Sequence, residues 1–293
     1  MITVFGATGT IGQRLCAELS AADAPYRCAV RDPARALAVL PAGARCVQAD
    51  MQVPASLMAT LQGVQALFLL SSHDAKMAKN QIAVIDAAVT ISRSRTPLHI
   101  VKLSGGPYMR PELPLQVSRQ HLAIEDALQR SGLPYTILRP AFLHQNLLRF
   151  ASRIAQHREL TAPFGEQSIA MVDADDVAAA AARILLAPGG HDRRTYSLTG
   201  ERAWRMQEIA QTLSAVVGHR VRYRSPPVWL AGVAQRLAGV DAEEVKHNLE
   251  MVRCVYRAGL GAYTSTDLSR LLGRAPRTMQ TFLERHRAAF VPS

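Results

Sequence analysis

Residues 1–12 read MITVFGATGTIG, and this short stretch limits the choice of fold more than any other. Ile2, Val4 and Phe5 suit a buried strand, glycine then recurs at Gly6, Gly9 and Gly12, and residues 13–20 read as a helix. Gly6 permits a tight turn, Gly9 lets a pyrophosphate approach the backbone, and Gly12 lets helix and strand pack closely. The helix N-terminus supplies unpaired N–H groups to the phosphates. The spacing is G-x-x-G-x-x-G rather than the standard dinucleotide fingerprint G-x-G-x-x-G, so the loop needs support from the rest of the chain.

That support comes from alternation. The apolar runs ITVF, YRCAV, ARCVQ, QALFLL, LHIVKLS and YTILRP are separated by helical patterns at 13–20, 33–40, 54–61, 77–92 and 117–130. Several of these helices begin with Pro or end near Gly. Such a βαβ series predicts an α/β fold, a Rossmann-like doubly wound parallel sheet, ending near Leu138. Beyond Arg139 the pattern loosens: a helix over 142–157, a loop TAPFGEQ, and a helix capped by Asp173, continued over 177–186 and stopped at Gly189 and Gly190. A strand in TYSLTG, a helix over 204–217, a strand in HRVRYRS and helices from 228 onward complete it. We expect an NAD(P)-binding Rossmann domain at 1–140 and a smaller, mostly helical substrate lobe at 141–293, interleaved with it.

In such a sheet, ligands bind at the C-terminal ends of the strands. The second strand is followed by Arg31, placed to accept the 2′-phosphate of NADP(H), with Arg35 one turn on. Asp32, which would instead bind a ribose hydroxyl, reads as the N-cap of DPARA. NADP(H) is therefore expected over NAD(H). Asp50 and Met51 follow the third strand and Leu70, Ser71 and Ser72 the fourth, which places them at the cofactor edge.

Composition narrows the class. Hydrophobic residues make up 48%, yet no apolar run approaches the roughly 20 residues of a membrane span, and the opening strand is not a signal peptide, so a cytoplasmic protein with no membrane association is expected. Cys16, Cys28, Cys46 and Cys254 are scattered without ligand spacing, so neither a metal site nor a disulfide framework is expected. The net charge of +11 raises the question of nucleic acid, but the arginines are spread along the chain, densest at Arg93 and Arg95, Arg193 and Arg194, and 220–224. No DNA-binding motif accompanies them, so the charge is read as serving an anionic cofactor.

Together, VFGATGTIG, VRDPARA, GVQALFLLSS, HLAIEDALQRSGLPYTILRPAFLHQN, VDADDVAAAAARIL, YSLTGERAWRMQEIAQTLSAVVGHRVRY and TSTDLSRLLGRAPRTMQTF form an ordered set running nearly end to end. The chain resembles the NmrA-like atypical short-chain dehydrogenases, particularly their NADPH-dependent quinone reductases and triphenylmethane reductases. The resemblance implies that Thr8, Thr10 and Ile11 lend backbone to the pyrophosphate beside Gly6, Gly9 and Gly12. It implies that Ser104, Gly105, Gly106, Pro140, Ala141 and Phe142 surround the nicotinamide, with Tyr108, Phe142 and Asn146 at the substrate. Trp229, Tyr256 and Tyr263 read equally well as pocket or as core.

One departure matters. Short-chain dehydrogenases typically use a Tyr and a Lys four residues apart, the hydroxyl protonating a carbonyl. No Tyr-x-x-x-Lys occurs in this sequence. By resemblance to isoflavone-reductase-like enzymes, their Lys position falls on His121 and the residue four before it is Val117. His121 is the candidate proton donor or cofactor-orienting group, although His121 followed by Glu125 also describes an ordinary helix-surface pair. Losing the pair does not exclude hydride transfer, because the cofactor carries the hydride and the protein need only position the acceptor. The expected function is NADP(H)-dependent reduction of a small-molecule acceptor, quinone-like or otherwise conjugated, such as a dye or imine. The alternative is a non-catalytic NADP(H) sensor that regulates a partner. A homodimer is compatible with either.

Overall fold

The computed structural model describes residues 1–93 and 97–292, so Arg95 lies outside the described residues. Six strands and five helices alternate first: β1 (Ile2–Phe5), α1 (Thr10–Ala21), β2 (Tyr26–Val30), α2 (Pro33–Leu37), β3 (Cys46–Gln48), α3 (Pro54–Leu61), β4 (Ala66–Leu69), α4 (Met77–Ser92), β5 (His99–Leu103), α5 (Gln116–Arg130) and β6 (Tyr135–Pro140). β7 (Phe142–Leu143), a 3-10 helix (His144–Phe150), α6 (Ala151–His157), β8 (Glu159–Thr161), β9 (Ile169–Val172), α7 (Ala174–Leu186) and β10 (Arg194–Leu198) follow. β11 (Ala203–Trp204), α8 (Met206–Val217), β12 (Arg222–Arg224), α9 (Val228–Leu237), α10 (Ala242–Met251), a π-helical turn (Val252–Tyr256), α11 (Asp267–Leu272) and α12 (Met279–Arg285) lead to the C-terminal end.

The main sheet has seven strands in the order β10-β6-β5-β4-β1-β2-β3, every neighbouring pair parallel. Strand order reverses between β1 and β4, and that switch point opens a crevice at the strand C-termini. Alternate side chains face opposite layers. Val4 and Phe68 join Ile11, Leu15 and the alanine-rich face of α7 in one core. Phe5, Leu67 and Leu69 pack against α3, α4 and α5 in another.

The sheet does not end near Leu138. β6 runs to Pro140, and β10 adds a seventh strand beyond it, with Arg194 opposite Thr136 and Leu198 opposite Pro140. The helix expected over 142–157 is also corrected. Phe142 and Leu143 pair with Met171 and Val172 as strand, and only then does a 3-10 segment lead into α6. Extended backbone wins there because β9 offers a partner that the local sequence does not reveal.

β9 couples the two parts of the molecule. Its alternate residues Ala170 and Val172 belong to the core beside the main sheet, while Ile169 and Met171 belong to a third core built on α6, α8 and α12. Asp173 caps α7 by accepting from the Asp175 N–H at 2.9 Å. Asp176, fully buried, then accepts from the side chains of Arg274 and Arg277 and from the Arg277 N–H, tying the C-terminal segment to the back of the fold.

Candidate active site

The β1–α1 loop meets the requirements of a pyrophosphate cradle. Gly6 has φ +71°, and a Cβ there would lie 2.8 Å from the Leu70 carbonyl oxygen. A Cβ on Gly12 would run into the Gly6 carbonyl oxygen with Ala7 Cα 2.7 Å away, so helix and strand can pack this closely only without a side chain. Gly9 differs: a Cβ there would make only an ordinary contact, 3.5 Å from the Gly6 carbonyl oxygen, so the fold itself does not demand glycine at this position. It is the N-cap of α1 and provides no side-chain hydrogen bond, which leaves the first-turn N–H groups free for an anion. Thr8, Gly9 and Thr10 are exposed, whereas Ile11 and Gly12 are buried. The residues present fit a bound dinucleotide.

The adenosine side agrees in its chemistry. Arg31 is exposed and forms no ion pair among the described residues. The Asp32 carboxylate is engaged, accepting from the Arg35 N–H at 3.0 Å as the cap of α2. Asp50 folds its own loop, accepting from the Gln52 N–H at 2.8 Å, and Met51 is half-buried beside it. Leu70 lies under Gly6, Ser71 accepts from Gln81 at 2.9 Å, and the Ser72 hydroxyl donates to Asp74 at 2.7 Å.

At the ends of β5 and β6 the material changes from backbone to charged side chains. Ser104 is buried and donates to Glu125 Oε1 at 2.6 Å, so its hydroxyl is already committed. Glu125 is held in a two-pronged pair by Arg139, with Nε to Oε1 at 3.1 Å. Glu125 and His121, which could have been a surface pair, are 3% and 1% exposed. Their helix turns them inward toward Lys102, the fourth of the five residues of β5, whose side chain occupies the same space. Lys102 is fully buried, donates to the Leu103 carbonyl and lies 3.4 Å from His121 Nδ1. Burial lowers the lysine pKa to about 7 against the opposing pull of Glu125. Burial, then Lys102, His73, Arg139 and His247, hold His121 well below the usual imidazole range, so it is neutral at physiological pH.

Gly105 and Gly106 are glycines for packing reasons. A Cβ on Gly105 would meet Met109 Sδ and, at 2.9 Å, His121 Cδ2, while one on Gly106 would strike the Tyr108 ring, 2.8 Å from its Cδ1. Next to them lies a narrow cavity whose walls include Tyr108, Ala141, Phe142, Tyr256, Leu260 and Tyr263. Phe142 meets Phe164 and Tyr256 edge to face, with centroids 5.6 and 5.5 Å apart. Burial pushes the Tyr108 phenol up to about 12 and holds the Tyr256 phenol well above its usual range, so both hydroxyls keep their protons. Pro140 ends β6 half-buried, and Asn146 is half-buried on the 3-10 segment outside the cavity walls. Trp229 sits exposed on α9, away from this cavity.

Fold and cradle together define a dinucleotide-binding protein of the Rossmann class. The chain belongs to the NmrA-like family, whose model matches residues 1–232. It is 31% identical over 295 residues to an NAD(P)H azoreductase of Xenophilus azovorans, covering 99% of both chains. It is 31% identical, over the full length of both, to (4-alkanoyl-5-oxo-2,5-dihydrofuran-3-yl)methyl phosphate reductase of Streptomyces griseus. The crystal structure of the NADPH-dependent quinone oxidoreductase QOR2 from Escherichia coli, complexed with NADPH, superposes with a TM-score of 0.86 at 28% identity, covering 98% of this chain and 100% of that one. This chain is accordingly an NAD(P)H-dependent reductase.

The glycine cradle and Arg31 were visible in the sequence, but Lys102 and Arg139 were not singled out, and Glu125 only as a surface partner of His121. The available signal was a lysine inside the apolar run LHIVKLS, one residue before the end of a strand that neighbours on both sides bury.

Proposed function

We propose that this protein uses NADPH in preference to NADH to reduce a planar, electron-poor conjugated acceptor such as a quinone, an azo dye or an imine. The observation that carries the reading is the group of aromatic side chains Tyr108, Phe142, Tyr256 and Tyr263 beside the ends of β5 and β6, a lining suited to flat conjugated molecules; the gap between them is about 10 Å³, so the rings part when an acceptor enters. Names of the relatives point the same way, since an azo compound, a dihydrofuranone and a quinone are all conjugated acceptors. The preference for NADPH rests on the unpaired Arg31 and the engaged Asp32.

The dinucleotide supplies hydride. Gly6, Gly9, Gly12 and the first turn of α1 hold its pyrophosphate through backbone N–H groups, with Thr8, Thr10 and Ile11 flanking, and Arg31 pairs with the 2′-phosphate. Ser104, Gly105 and Gly106 with Pro140, Ala141 and Phe142 border the reacting ring. Tyr108 and Phe142 grip the acceptor, a part of it that extends beyond the cavity walls meets Asn146 on the 3-10 segment, and His121 donates a hydrogen bond or a proton. Free cysteines and the absence, among the described residues, of a helix able to cross a membrane are compatible with the cytoplasm as its place of work.

The test is NADPH oxidation followed at its near-ultraviolet band against quinones, azo dyes and enones. Turnover with at least one class, and a kcat/KM for NADPH about tenfold or more above NADH, is expected. No turnover above the background oxidation of NADPH with any of them would sink the reading.

A further inference from the structure

Lys102 and His121 form a connected pair that the cofactor cradle does not use. Lys102 rises from β5 and is fully buried; its Nζ donates to the Leu103 carbonyl and lies 3.4 Å from His121 Nδ1. In its ammonium form Lys102 offers only N–H donors, so Nδ1 is then the accepting nitrogen and the imidazole hydrogen belongs on Nε2. His121 Nε2 is buried and has no hydrogen-bond partner. Cδ2, the ring atom bonded to Nε2, lies 2.9 Å from the place a Gly105 Cβ would occupy. The edge of the ring that faces away from Lys102 therefore fronts the loop at the C-terminal end of β5, where the acceptor and the reacting end of the cofactor meet in the reading above. A buried N–H without a partner is costly unless a ligand completes it.

We infer that Lys102 and His121 are a proton relay: His121 Nε2–H protonates the reduced acceptor and Lys102 replaces the proton through Nδ1. This rests on the reductase reading above. After hydride arrives, the acceptor carries an electron pair on oxygen or nitrogen. The Nε2–H bond breaks as the new O–H or N–H bond forms, and Nδ1 takes a proton from Lys102 Nζ. The ammonium becomes an amine; before the next turnover a solvent proton reaches Nε2 as Nδ1 returns its proton to the Lys102 amine, which restores both starting forms. No charge accumulates on the buried imidazole, which its surroundings resist: Lys102 itself, Arg139 on β6, His73 in the loop after β4 and His247 on α10 all disfavour an imidazolium. His73 meets the His121 ring edge to face at 5.5 Å and is itself solvent-exposed, so it marks the way protons enter. Glu125, on the same helix as His121, holds part of the lysine's charge. Lys102 thus sits near the middle of the physiological range, where a buried amine both gives and regains a proton readily.

Two measurements test this. In the cofactor-free protein, 15N NMR of the imidazoles should show His121 neutral with hydrogen on Nε2 down to pH 5.5, and its Nδ1 signal should move with an ionisation near pH 7. A hydrogen on Nδ1, or no such ionisation, would overturn the relay whether or not any acceptor is found. In turnover with NADPH and an azo dye or para-quinone, wild-type kcat should fall above the lysine ionisation. Lys102→Met should lose about tenfold or more in kcat with KM for NADPH within about twofold, and its profile should lose that alkaline limb. Pairing it with His121→Gln separates relay from structure: the double variant should be no slower than the slower single. Multiplied losses, or a wild-type limb persisting in Lys102→Met, would refute the relay. If Lys102→Met does not fold, His121→Gln carries the same limb test. Wild-type inactivity towards both acceptors would count instead against the function proposed above.

Discussion

The glycine cradle after β1 and the charged cluster around β5 lie at the same edge of one sheet, yet they are built from opposite materials. The cradle is backbone with side chains removed, exposed over residues 8–10, whereas the cluster is Lys102, His121, Glu125 and Ser104 packed out of solvent with a half-buried Arg139 at its edge. The division follows the chemistry of a dinucleotide. Its phosphates carry fixed charge and need fixed dipoles, which N–H groups at a helix end supply without titrating. Its reacting end needs protons moved, which only ionisable groups shifted from their usual range can do near neutrality. Perturbing the two regions should therefore give different signatures, the first in affinity and the second in pH dependence.

The largest effect should come from a residue that serves the cradle from behind. Arg14 of α1 pairs with Asp175 at 2.7 Å, Asp175 also accepts from Arg285 of α12, and the adjacent Asp176 anchors Arg274 and Arg277. Asp176→Ala would leave two arginines and a backbone N–H facing the vacated space, at a cost of about 4 kcal/mol. Thermal unfolding should show a Tm lower by on the order of 10 °C. A fall under about 2 °C would mean that the C-terminal segment contributes little to holding α7 under α1.

Next comes the glycine comparison. Gly12→Ala gains helix propensity of up to about 1 kcal/mol but forces Cβ into the Gly6 and Ala7 backbone, which no rotamer change relieves. The clash should win by about 3 kcal/mol in urea unfolding, and NADPH binding should fall by about 100-fold. Gly9→Ala meets no atom nearer than 3.5 Å, so stability should hold while NADPH binding, measured by calorimetry, weakens about tenfold. Equal effects at both positions would erase the distinction between a glycine for packing and a glycine for ligand approach.

That first half of the site was legible because it is local. A strand, three glycines, a helix start and an arginine after the next strand all declare themselves within residues 1–35. The second half was not, because its meaning depends on partners far along the chain. Lys102 within HIVKL is one lysine in an apolar run, and its role shows only when α5 brings His121, 19 residues on, to within 3.4 Å of it. The same reason hid β7, β11 and the place of β10. Two-residue strands have no periodicity of their own, and RTYSL looks like an isolated strand until β6 is seen to lack a neighbour.

A pH experiment tests the titrating half directly. Lys102 has a pKa of about 7 in the folded protein against 10.5 unfolded. Between those values the unfolded chain holds a proton that the folded chain has released, so stability rises with pH through this window. The penalty is complete below pH 7 and is relieved on going up. From pH 7 to 8.5 wild type should gain about 2 kcal/mol in urea unfolding relative to Lys102→Met, which lacks the group. Parallel profiles for the two proteins would show that Lys102 titrates as an ordinary lysine.

The smallest effect is the most selective. Arg31 is exposed and unpaired, so Arg31→Ala should leave Tm unchanged, as surface substitutions usually do. Asp32 remains as the cap of α2, so the loop keeps its shape and NADH, which offers no 2′-phosphate, should bind as before. NADPH should lose about tenfold in affinity, roughly 1.4 kcal/mol, the size of one charge-assisted contact at a wet surface. Because the contact is electrostatic, the loss should shrink as salt rises and the Debye length falls below about 10 Å. Weakening of NADH by the same factor would mean that Arg31 shapes the loop rather than reads the phosphate, and an unchanged NADPH preference would remove it from cofactor selection altogether.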